Sequence, residues 1–157
     1  MSILPFGRVR GDGVRVNLAE HERTLLADLT RQVVGVLEAG DPDDPAVARL
    51  LPDAYRGDDE AAAEFRRFTA DDLTRRKIEN ASVLLASLET EGTTLDRAAQ
   101  QSWLRTLTDL RLTLGSRLGV TADGFAPSDD PQTLMMHDVF DWLGYLQEVL
   151  VRSLPRR

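Results

Sequence analysis

The chain opens on an alternating pattern and then settles into helical spacing. Val14, Val16 and Leu18 alternate with Arg15 and Asn17, the period-two signature of a strand with one dry face. Ile3 to Arg10 and Val14 to Leu18 flank Gly11-Asp12-Gly13, a turn sequence that accepts positive φ. Residues 3–18 therefore read as a β-hairpin. Two strands are marginal alone, so this arm must pack on helices.

From there the apolar positions step by three and four. Leu18, Leu25, Leu29, Val33, Val36 and Leu37 predict a helix over about 18–39, with Asn17 as N-cap, Glu20 three residues on, and Gly40 as its end. Asp44-Pro45 predicts a cap followed by proline at the first helical position, opening a helix over about 44–51 that Pro52 stops. Asp58 predicts another over about 59–68, and Thr69 caps a helix over about 70–91 whose buried side is Ile78, Val83 or Leu84, Leu85 and Leu88. Asp96 opens the most regular helix, about 97–118, with a seam of Ala99, Trp103, Leu107, Leu110, Leu114 and Leu118 and Gly119 at its end. The last helix, about 132–153, carries two apolar lines: Met135, Val139, Trp142 and Leu146 on one, and Leu143, Leu150 and Leu154 on the other. The second line needs cover, either from the hairpin or from a second copy across a twofold axis, where Gly144 allows close approach. The fold expected is mainly α: a bundle of three long helices plus short ones around 43–68, with the hairpin packed on it, all in one domain over 1–157.

Composition narrows the chemistry. There is no cysteine, which removes disulfides, thiolate nucleophiles and thiolate metal sites. The formal net charge is −7, a balance opposed to phosphate backbones, so direct nucleic-acid binding is not expected. No apolar run reaches the length of a membrane span. The first residues lack the basic and apolar regions of a signal peptide. A cytoplasmic location is the expectation.

Few residues suggest catalysis. His21 lies between Glu20 and Glu22, which point away from it on a helix, and His137 with Asp141 makes two ligands without a third. The stretch 40–60 holds seven acidic residues against Arg49 and Arg56 but lacks the alternating pattern of a calcium loop. No serine, threonine or lysine sits in a nucleophile motif. No cofactor and no metal is expected. Arg111, at a half-buried angle beside Leu107 and Leu114, needs a partner. An acidic group from 41–60, or Asp141, is the natural donor.

Four stretches resemble a known family: Arg49-Leu50-Leu51-Pro52-Asp53-Ala54-Tyr55; Glu64-Phe65-Arg66-Arg67; Trp103 to Gly119, with Asp109 to Gly119 the most specific; and Asp141-Trp142-Leu143-Gly144 with Leu146-Gln147. Together they are similar to an actinobacterial family associated with the oxidative-stress regulator AosR. The resemblance implies regulation of transcription in redox defence through contact with a protein partner, without catalysis. It singles out Tyr55, Arg66, Arg67, Trp103, Asp109, Arg111, Arg117 and Trp142 as candidate interaction residues. The thiol sensing usually read into such a regulator cannot operate in a chain without cysteine. The competing expectation is a small enzyme with an anion pocket built from Arg111, Arg117 and Tyr55.

Overall fold

A computed structural model describes residues 3–52, 60–119 and 128–156. In chain order it runs β1 (Phe6–Arg8), β2 (Val14–Val16), α1 (Glu20–Ala39), α2 (Pro45–Leu50), α3 (Glu60–Ser87), β3 (Thr94–Leu95), α4 (Arg97–Leu118) and α5 (Pro131–Ser153). The protein is mainly α, as its periodicity predicts. Among the described residues four helices have twenty or more residues and one is short.

The hairpin forms with Phe6 opposite Val16 and Arg8 opposite Val14, and Gly11 sits at φ +77 in its turn, where a side chain is strained. It is not alone. β3 adds a third antiparallel strand, pairing Leu95 with Val14 and Thr94 with Arg15. Gln100 pins this sheet to α4: its buried amide donates to the carbonyls of Asp12 (2.7 Å) and Leu95 (2.9 Å). Phe6 meets Trp103 edge-to-face, with ring centroids 5.6 Å apart, a favoured aromatic geometry. The strand residues Phe6, Val14, Val16 and Leu95 and the helix residues Leu26, Leu84, Leu107 and Leu146 share one core.

α4 is the central helix, with α5, α3, α2 and α1 all packed against it. Its caps follow the sequence. The Asp96 carboxylate accepts from Ala99 N–H, and Gly119 closes the helix in the left-handed region at φ 69. Asp44 likewise accepts from Ala46 N–H at the start of α2, with Pro45 at the first position.

Three expectations change. α1 begins two residues later than read, with Ala19 as cap residue and Glu22 accepting from Ala19 N–H at 2.9 Å. Asn17 instead donates its amide to the carbonyl of Leu4, because Leu18 is buried in the core and draws the chain inward. The helices read over 59–68 and 70–91 form one, α3. Thr69 does not cap; its hydroxyl donates to the carbonyl of Phe65, one turn back (2.9 Å), so it is satisfied inside a continuous helix. α3 ends at Ser87, before a turn that places Gly92 at φ +71.

The second apolar line of α5 is covered within the chain. Leu143 and Leu150 are buried, β1 packs on α5, and Arg8 donates to the carbonyls of Arg152 and Leu154 (3.3 Å each). No described helix is long and apolar enough to cross a membrane.

Candidate functional site

Lys77 on α3 reaches the Asp109 carboxylate on α4 at 2.6 Å, with 18% and 5% of the two side chains exposed. Lys77 is the only lysine in the chain. Burial pushes the Asp109 carboxyl above its ordinary pKa, and the Lys77 ammonium pulls the other way. Beside this pair Ser102 donates to the Asn80 side-chain oxygen (3.0 Å). A cleft of about 370 Å³ opens over them, lined also by Arg76 and Arg105.

Thr108 links this cleft to a second, of about 200 Å³, lined by Arg49, Arg111, Leu112, Phe140 and Gln147. Here the Arg111 guanidinium lies over the Phe140 ring, 4.6 Å from its centroid, a cation–π contact. Arg111 also donates to the Gln147 side-chain oxygen Oε1 (3.0 Å), and the Gln147 side-chain amide donates to the Thr108 hydroxyl (2.8 Å). Gly144 makes room for this arginine: a β-carbon there would stand 3.3 Å from the guanidinium carbon. That space serves an intrachain contact.

Arg111 therefore departs from expectation. Among the described residues it has no carboxylate partner. Phe140 and Gln147, two turns apart on α5, occupy the places next to it, while Asp141 points outward and is exposed. The acidic segment meets Arg117 instead. Asp44 receives two hydrogen bonds from the Arg117 guanidinium, at 2.6 and 2.9 Å. These bonds, with the one from Ala46 N–H, hold the Asp44 carboxyl at about 2. Arg117 lines a different, mostly apolar cleft of about 120 Å³ between α1, α4 and α5. The two arginines do not converge on one anion pocket.

The other candidates separate by depth. Trp103 is wholly buried and Trp142 is half-buried against the core. Arg67 is exposed on α3 between Phe65 and Phe68, themselves 72% and 76% exposed. Tyr55 and the Arg66 side chain lie outside the described residues. Lys77, Asn80 and Gln147 complete the site without having been singled out in the sequence. Lys77 had a signal: it falls on the same helical stripe as Ala81, Leu84 and Leu88, so it must face the core. Among the described residues no group of three or more His, Cys, Asp or Glu is placed to hold a metal.

Residues 5–154 match the model of a family described as Domain of unknown function (DUF2017). The chain is 29% identical over 181 residues to the oxidative stress regulator AosR of Mycobacterium tuberculosis strain H37Rv, covering 92% of this chain and 83% of that protein. It is 33% identical over 183 residues to the putative oxidative stress regulator AosR of Mycobacterium leprae, with the same coverage. No solved structure matches.

Proposed function

The chain belongs to the DUF2017 family, and from that premise we propose that it is a non-enzymatic regulatory domain acting in transcriptional or stress control through a protein partner in the cytoplasm. The observation that carries this reading is the likeness, over 92% of the chain, to proteins named oxidative stress regulators. The polar groups of the site support it. Lys77 and Asp109 spend a hydrogen bond on each other, and Arg111, Gln147 and Thr108 are linked in a chain of two more, which suits a rigid surface better than proton transfer, where a group must be poised to exchange with substrate.

Without cysteine, regulation here works by binding and not by a thiol switch. The sensing step then belongs to the partner. Transcript profiles of cells with and without this chain, before and after peroxide, test the proposal. A changed set of redox-defence transcripts is expected in the deletion strain. Identical profiles would remove the regulatory role.

A further inference from the structure

α3 and α5 each pack along α4 but make little or no contact with one another. The strip of α4 between them is left as the floor of a furrow. Gln101, Arg105, Thr108 and Leu112 occupy that strip, spaced by four, three and four on one helix face; the first three are exposed and Leu112 is half-buried. The two clefts that meet at Thr108 are the furrow's two sides.

The charge of this furrow is opposite to that of the chain. Arg49, Arg76, Lys77, Arg105 and Arg111 line it, and Asp109 is the one carboxylate in the lining among the described residues. Asp72 reaches Arg76 from the outer side of α3, and it also holds Arg75. Arg105 has no hydrogen-bond or ion-pair partner among the described residues. The remainder of a chain with net charge −7 is correspondingly more acidic. Apolar surface is interleaved with these cations. Leu73, Leu112 and Phe140 lie in the clefts, and Phe65 stands on the same α3 line as Arg76, eleven residues earlier.

We propose that this furrow is the docking site for an acidic segment of a partner protein, one whose Asp and Glu residues are spaced by apolar anchors. The inference rests on the partner-mediated reading above. Charge selects the occupant. At physiological salt, charges more than about 8 Å apart are largely screened, so a short acidic segment in the furrow feels its arginines and not the acidic surface beyond. A nucleic acid is a long polyanion and would run from the furrow onto that acidic surface, where it is repelled. Arg105 and Arg76 offer unused donors at the open rim, and arginine forks suit carboxylates.

The test uses the full chain in its own cells, carrying a photo-crosslinking residue at Gln101 in the furrow or at Glu38, exposed on α1, with the crosslinked peptides sequenced by mass spectrometry. The Gln101 probe is expected to capture a protein segment in which Asp and Glu outnumber Lys and Arg. Arg105→Glu, alone or with Arg76→Glu, is expected to cut that product about tenfold, since like charges across an interface are strongly disfavoured. Arg31→Glu, on α1, is expected to leave it unchanged. Arg105 has no described partner to lose, and an unchanged thermal melt confirms that the variant folds. A product with DNA, with a second copy of this chain, or with a segment lacking acidic excess would overturn the proposal, as would insensitivity to Arg105→Glu. Crosslinks from Glu38 alone would sink the furrow and leave the partner reading standing; none from either position would sink both.

Discussion

Breaking the Lys77–Asp109 pair from either side is expected to destabilise the fold, and replacing both residues together is not. At 2.6 Å, and with an effective dielectric of about 20, the gross attraction is about 6 kcal/mol. Desolvation of two nearly buried ions costs several kcal/mol each, so the pair contributes little net stability. Removing one partner keeps the cost and loses the attraction, at about 3–5 kcal/mol. The two sides differ. Lys77 is 18% exposed and its long stem can carry the ammonium toward water, whereas Asp109, at 5%, has no such route. Lys77→Met is therefore the costlier change, and Asp109→Asn falls at the low end of the range. The orphaned carboxylate adds a pH signature. Burial already raises the Asp109 pKa in the folded state, and loss of Lys77 raises it further. The folded state then binds a proton that the unfolded state has released, so stability falls as pH rises from about 4 through the raised folded value. Lys77→Met should be distinctly more stable at pH 5 than at pH 8, and Lys77→Met with Asp109→Leu should return to within about 1 kcal/mol of the parent, or exceed it. Thermal melts by circular dichroism read this directly, since 1 kcal/mol moves Tm by about 2–4 °C in a chain of this size. Single variants that melt within about 1 °C of the parent at both pH values would refute the reasoning.

Asp44→Ala removes both the cap of α2 and the tie to Arg117. A cap contributes about 1 kcal/mol and a partly exposed ion pair about 0.2–1, so a loss of about 1–2 kcal/mol is expected in urea unfolding at pH 7. Because the Asp44 carboxyl is held at about 2, below its ordinary 3.8, its stabilisation is whole above pH 3.8 and fades as pH falls through 2; the gap between parent and variant should close over that window. Gly144→Ala is expected to be near neutral, its helix propensity gain offsetting a small shift of Arg111. Gly144→Leu should cost about 1–3 kcal/mol by forcing the guanidinium off Phe140 and Gln147, and equal melting temperatures for the two variants would contradict that contact. Diamide should leave the melting temperature unchanged, because the chain has no thiol; a shift of several degrees would contradict this.

What could be read from the residues was whatever is decided locally. Asp44-Pro45, Asp96, Gly40 and Gly119 mark helix ends because a cap is a contact between near neighbours, and all four do so in the structure. Thr69 carries the same side-chain oxygen but satisfies it within α3, and nothing adjacent in sequence distinguishes the two uses. β3 was invisible for the opposite reason. A two-residue strand exists only through its pairing with Val14 and Arg15, some eighty residues away. The site was legible in part. Arg111 stands out as a charge beside the apolar seam, and Asp109 only through the family resemblance, but their partners depend on how α3 and α5 lie against α4. That arrangement brought Lys77 and Gln147 to them and left Asp141 in solvent.

The central claim is that the chain regulates by holding a partner. Affinity capture of the tagged full-length protein from its native cells, in the presence and absence of peroxide, with quantitative mass spectrometry of what co-purifies, tests it most directly. The account predicts near-stoichiometric recovery of a component of the transcription or stress-response machinery, lost on reversing Arg105 to Glu. Recovery no different from a tag-only control in either condition would contradict it.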